Sequence, residues 1–424
     1  MPYDLLIRAD RDVAVQDGAI AAIGPELEGV ARVEIDAHGL HVLPGVIDAH
    51  VHFNEPGRTD WEGWATGTRA LAAGGATACV EMPLNAHPPT VDGAAFDAKV
   101  AAAEAAAIVD FALWGGLVPG DLARLDELAE RGVVGFKAFM CDSGIEDFPA
   151  ADDDTLAAGM ERAAALGLPV AVHAERPAAL SDPQGTGWRD FVASRPVEAE
   201  TAAIEKALEL AAQTGCALHV VHVSSARGVA LVAAARARGV DATCETCPHY
   251  LTLTEDDLEE LGTRAKCAPP LRTEAEREAL WEAIGDIEFV ASDHSPCPPA
   301  MKQGDFTAAW GGIAGCQSLL ALLLDSGRLD LPTIAALTST NPARRLRLGK
   351  GMHVGADADL VLIDRDATCA PEPHDRHHLS PFAGRPLRGR VARTILRGAT
   401  VFQDGRIVAD RPRGRLLTPT KGDT

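Results

Sequence analysis

From residue 46 onward the chain repeats one arrangement, a short apolar and β-branched run followed by helix-forming, alanine-rich sequence. The runs are VIDAH at 46–50, ATACVEM at 76–82, VDFALWG at 109–115, VVGFKAF at 133–139, PVAVHAE at 169–175, LHVVHVS at 218–224, DATCET at 241–246 and EFVASD at 288–293. Helical stretches fall between them, for example at 92–107, 196–213 and 226–239. This alternation is the mark of repeated βα units. Eight of them predict an α/β fold, a (β/α)8 TIM-like barrel over residues 46–348, with reacting groups gathered at the C-terminal ends of the strands.

Both flanks read as β. Residues 1–45 hold short apolar and polar mixtures such as RDVAVQDGAIAAIG, and 349–424 hold GADADLVLID and VARTILRGATVFQDGRIVAD. A short N-terminal β piece could not cover its own edges, so the two ends are expected to pair into one small β-sandwich domain. The last residues, TPTKGDT, are expected to be disordered.

Asp and Glu number 61 against 39 Lys and Arg, a formal charge of −22, which disfavours nucleic acid and anionic membrane as partners. The start, MPYDLLIRADRDVAV, lacks a basic n-region and an apolar h-region, and no run approaches membrane-spanning length, so a cytoplasmic protein is expected. Nine cysteines without a disulfide framework fit reduced, buried thiols, and Cys244 with Cys247 reads as core rather than a zinc site.

The polar residues in the strands carry the chemistry. In GVIDAHVHF a strand turns His50 and His52 to one side and Val51 to the other. Lys137 lies in the fourth run, His173 in the fifth, His222 in the sixth, and Asp293 ends the eighth. One histidine in an apolar strand is usually a satisfied core residue, but independent core histidines have no reason to recur at the same end of several strands. A metal site explains that recurrence. His219 is three residues from His222 and is expected on the opposite face. His249 and His294 are expected to pack in loops or to hydrogen-bond the metal-binding groups, with ligation as the lesser alternative, and His41 and His87 to be solvated or in turns.

Lys137 has donors but no lone pair when charged, and it is expensive to bury in GFKAF. Snorkelling at the rim is the plain alternative. Carbon dioxide captured by the neutral amine would give a carbamate able to bridge two metal ions. Two divalent cations would then face carbamate, Asp293, a hydroxide and four neutral histidines.

At these residues the chain resembles the cyclic amidohydrolases, the family of hydantoinases, dihydropyrimidinases, dihydroorotases and allantoinases. H-x-H after G-x-I-D, GFKAFM, VHAE, VVHVSSA, SDHSP and GADADLV are similar to that family in order, over nearly the whole length. The resemblance implies that His50 and His52 bind one metal ion, His173 and His222 the other, carboxylated Lys137 bridges both, and Asp293 binds metal and acts as acid and base. It implies two divalent ions, zinc foremost, with cobalt, iron or manganese accepted by the same donors, and a homotetramer.

Within the family, Asn54 stands where dihydroorotases resemble one another in an arginine that grips a carboxylate, and CDSG at 141–144 stands where hydantoinases place a tyrosine. HFNEPGRTDWEGW, EMPLNAHPPT, FKAFMCDSGI, ETCPHYL, KCAPP and AWGGIAG are similar to the allantoinase branch, which implies allantoin as the small cyclic amide substrate. Asn85, Ser143, Gly312 and, through its main chain, Ala268 are the expected substrate contacts, the first three equally readable as turn residues. Glu55 and Arg58 are expected beside the metal-binding groups, with a loop ion pair as the alternative. The alternatives are another cyclic amide, as in hydantoinase or dihydropyrimidinase, and a non-catalytic assembly protein resembling dihydropyrimidinase.

Overall fold

A computed structural model describes residues 2–420. All eight apolar runs form strands at the expected places: Val46–Val51, Ala76–Glu81, Asp110–Leu113 with Gly115–Gly116, Phe136–Phe139, Val170–His173, Leu218–Val220, Ala242–Thr246 and Phe289–Val290. We refer to these as barrel strands one to eight. Neighbours pair in parallel throughout. Strand three divides at Trp114, its first part pairing with strand two and Gly115–Gly116 with strand four. Closure comes past the end of strand eight, where His52 N–H donates to His294 O at 2.7 Å.

Parallel strands sheathed by helices have no wet face, which is why these runs are apolar at nearly every position. Alternation instead sorts residues between two cores. Ala78, Val80, Ala112, Trp114 and Ala171 fill the barrel interior, while Cys79, Phe111, Leu113, Val170 and Val172 meet the helices outside. Alanine lets those helices sit close: Val197–Thr214 buries Ala199, Ala203, Ile204, Ala207 and Ala211 along one stripe.

The two chain ends meet in a pair of facing sheets, as expected. One holds Ala19–Gly24, Asp12–Gln16, Tyr3–Arg8 and Ala31–Asp36 in that order, and the other holds Arg406–Ile407, Ala399–Gln403, Leu387–Leu396, Leu360–Cys369 and His41–Pro44. Leu5, Ile7, Val13 and Val15 of the first pack against Leu360, Leu362 and Ile395 of the second. His41, expected in a solvated turn, lies in a strand paired with Ile363 and is half-buried.

The final segment returns to the barrel. Phe111 N–H donates to Arg415 O at 3.0 Å and Leu417 N–H to Phe111 O at 2.7 Å. Thr420 N–H reaches Arg347 O at 2.7 Å. The start of TPTKGDT is therefore tied by backbone hydrogen bonds rather than loose as expected; residues 421–424 lie outside the described residues.

Candidate metal centre

The six residues picked out in the strands come together at the C-terminal end of the barrel. His50 Nε2 and His52 Nε2 stand 3.2 and 3.4 Å from Asp293 Oδ1. Across from them His173 Nδ1 faces His222 Nε2 at 3.0 Å, and the His50 and His222 rings lie 5.5 Å apart between centroids. Lys137 is fully buried, its Nζ 5.1 Å from the centre of the Phe139 ring.

Backbone shape aims two of these groups. His222 and Asp293 have φ of 39° and 46°, in the left-handed region that side chains other than glycine seldom adopt. Asn54 and Asn85, at 64° and 72°, do the same on neighbouring loops. The turn at His222 also overturns the expectation for His219. Strand six ends at Val220, so parity does not carry to His222, and both rings face inward. His219 reaches Thr243 Oγ1 at 2.9 Å and Glu245 Oε2 at 3.2 Å.

Carboxylates hold the far sides of two of the rings. His50 Nδ1 donates to Glu245 Oε1 at 2.5 Å, so one carboxylate anchors both His50 and His219. His173 Nε2 donates to Glu175 Oε2 at 2.8 Å, and Arg195 grips the same carboxylate at 2.6 and 3.1 Å. Phe139 stacks on His173 at 4.4 Å. Fixing one imidazole nitrogen in this way leaves the other free as a lone-pair donor.

Electrostatics favour the same state. Burial pushes His52 down to about 4 and holds His173 and His222 below the ordinary range, so all three are neutral at pH 7. Burial alone would raise Glu175 and Glu245, but His173 and Arg195 hold the first, and His50 and His219 the second, at about 2. Asp293 is likewise held ionised against burial by His50, His52 and His222.

Burial pushes Lys137 down to about 7, against the pull of Glu245 and Asp293. Its Nζ has no hydrogen-bond partner among the described residues, nor have the outer nitrogens of His52 and His222. A buried, unpartnered amine amid neutral histidines and an ionised aspartate suits cationic occupants and not an apolar core.

The centre opens into a cavity of about 390 Å³. Asn85, Ser143 and Ala268 line it; Gly311 does, but Gly312 does not. Gly312 packs behind the wall, where a Cβ would come within 2.2 Å of Ser295 O, and its carbonyl accepts from Lys302. Ser143 spends its hydroxyl on Phe148 O at 2.6 Å, whereas Asn85 donates to Ser295 Oγ at 3.3 Å. Arg58 donates to Asn85 O at 2.9 Å. Glu55 instead accepts from Trp64 N–H at the start of the helix Trp64–Ala73.

Of the remaining histidines, His249 is buried, tilted against Tyr250 and pushed down by burial to about 4. His294 accepts from Gly315 N–H, and His87 is exposed and paired with Asp147.

Sequence reasoning passed over Glu175, Glu245, Arg195 and Lys266. Strand parity could have found Glu245, which shares the inward side of strand seven with Thr243. For Arg195, on the helix Trp188–Ser194 side of the cavity, no local pattern pointed inward.

Residues 41–401 match the family model described as the amidohydrolase family. The chain belongs to the amidohydrolase family. Relatives of this amidohydrolase include proteins named allantoinase from Rubrobacter xylanophilus, 58% identical over 99% of this chain and 98% of the relative, and from Deinococcus radiodurans, 48% identical over 99% of both. Among solved structures, L-hydantoinase (dihydropyrimidinase) from Arthrobacter aurescens superposes with a TM-score of 0.95 at 33% identity, over 98% of this chain and 100% of that one. The clustered donors of this amidohydrolase suggest a binuclear metal site. No helix among the described residues is long and apolar enough to cross a membrane.

Proposed function

We propose that this chain hydrolyses the ring amide of allantoin to give allantoate. Two divalent ions would be held by His50 and His52, by His173 and His222, by Asp293, and by Lys137 as an N6-carboxylated bridge. The observation that carries the reading is Lys137: an amine buried without a partner among neutral imidazoles is costly unless something else completes it. The choice of substrate rests on likeness to proteins named allantoinase at 44–58% identity.

Such ions supply a nucleophilic hydroxide at neutral pH and polarise the scissile carbonyl. The chain's own residues do the rest. Asp293 Oδ1 faces His50 and His52, and its second oxygen is the atom to take a proton from water and pass it to the departing ring nitrogen, which would otherwise leave as an unstable anion. Glu245 and Glu175 keep His50 and His173 in the tautomer that presents a lone pair inward. Asn85, Ser143 and Ala268 would meet the ring, a reading supported by their lining the cavity, with Gly311 taking the part expected of Gly312. A catalytic barrel of residues 46–348, zinc as the resident metal, a homotetramer and a cytoplasmic location belong to the same proposal.

A second reading, hydantoinase or dihydropyrimidinase activity, is favoured by the structural likeness to L-hydantoinase. A side-by-side assay of metal- and bicarbonate-supplied enzyme with allantoin, hydantoin, dihydrouracil and dihydroorotate decides between them. Allantoin is expected to give the highest kcat/KM; preference for another ring overturns the substrate. Metal below one ion per chain with no activity would leave a non-catalytic assembly protein.

A further inference from the structure

Buried Lys266 and half-buried Lys302 stand outside the metal centre, and neither has a carboxylate within ion-pair distance among the described residues. Both hold the loop that forms one wall of the cavity. Lys302 Nζ donates to Thr263 O, Trp310 O and Gly312 O at 2.8, 2.9 and 2.7 Å, which uses all three of its N–H groups. Lys266 Nζ donates to Thr307 O and Ala309 O at 2.9 and 2.6 Å, which uses two. Lys302 does not line the cavity and Lys266 does.

Local geometry explains the placement. Lys266 is extended, with φ −69° and ψ 125°, so alternate residues of Lys266-Cys267-Ala268 point to opposite sides. Cys267 enters the core, while Lys266 and Ala268 both line the cavity. Ala268 is the expected main-chain contact to the substrate ring, which puts Lys266 beside what the ring carries. The Phe191 face lies 4.5 Å from its Nζ. Burial, with Lys302 and Arg195 adding to it, pushes Lys266 down to about 8, so it remains charged at neutral pH.

We infer that Lys266 is a specificity-determining residue, its third N–H binding a carbonyl oxygen on the substituent borne by the substrate ring above Phe191. This rests on the cyclic-amide reading and names the group within the cavity that would tell a ureido substituent from an apolar one. A buried charge with one donor left over is costly without an acceptor, and a charged hydrogen bond discriminates more sharply than apolar contact.

The test compares allantoin, hydantoin and 5-propylhydantoin, the last an apolar substituent of similar length, on the metal-loaded full chain. Wild type should favour allantoin over 5-propylhydantoin by roughly tenfold or more, and Lys266→Met should cut that ratio by roughly 10–100-fold, lowering kcat/KM for allantoin far more than for hydantoin. Lys266→Arg, which keeps the charge and the loop contacts, should restore part of the ratio. An equal fall for all three substrates would mean that Lys266 only holds the loop, and the inference fails while the proposed function stands. Should Lys266→Met not fold, equal wild-type kcat/KM for allantoin and 5-propylhydantoin overturns it alone. Wild type inert toward all three overturns both.

Discussion

The two ends of the barrel each bury a cluster of charge, and they bury it differently. At the N-terminal end Asp110, the first residue of strand three, joins Asp357 and Asp359 from the small β unit. The trio has the spacing of a cation site, but Lys350 Nζ sits among the three carboxylates at 2.7, 2.7 and 2.6 Å. Arg397 and the Arg415 N–H complete Asp110. At the C-terminal end, Lys137 Nζ and the outer nitrogens of His52 and His222 have no partner among the described residues. Burial costs each cluster desolvation, but only the first offsets it fully from within the chain. A closed cluster joins elements, whereas one left open is where an external group is expected.

Substitutions at the two lysines should therefore act in opposite ways. Lys137→Met is expected to lower kcat/KM by roughly 10³-fold or more, with no loss of stability to urea, since an unpaired buried amine is removed. Short carboxylic acids should partly restore activity. Full activity in that variant would remove the carbamate from the mechanism.

Lys350→Met should leave kcat/KM of the folded enzyme unchanged and cost about 3 kcal/mol in urea unfolding, because buried Asp359 loses its counter-charge, while Asp110 keeps Arg397 and Asp357 is partly exposed. Although burial alone would lower it, the Lys350 pKa is raised by Asp359 and Asp110. A raised lysine stabilises fully below the ordinary lysine value and loses that contribution only in strongly alkaline solution. Stability of this variant equal to wild type at pH 7 would erase the contrast between the two ends.

The smallest effect sharpens the contrast within the open cluster. Glu245→Gln keeps the shape but loses the charge that fixes His50 and His219, and metal affinity should fall by roughly 10–100-fold. Equilibrium dialysis against a chelator measures this, and unchanged affinity would mean that His50 needs no anchor.

Much of this was legible in one dimension. Strand alternation and ligand chemistry are local, so eight apolar runs and the positions of His50, His52, Lys137, His173, His222 and Asp293 could be read directly. Errors arose where a regular element stops. Parity misplaced His219 because the chain turns at His222, with φ 39°. The stretch from Thr418 looked unstructured because its partner, Arg347, is remote in sequence.

The sequence by itself determined the architecture and which side chains gather at the C-terminal end of the barrel, since both depend on side-chain type and spacing along a short segment. Only the tertiary structure decided which donors are satisfied. Glu245 meets His50 across 195 residues, Lys350 fills one acidic trio while Lys137 is left unpaired, and Lys266 keeps a spare N–H where Lys302 has none. Whether a buried polar group is completed depends on strand register and loop closure between distant segments, and no spacing within the chain records that.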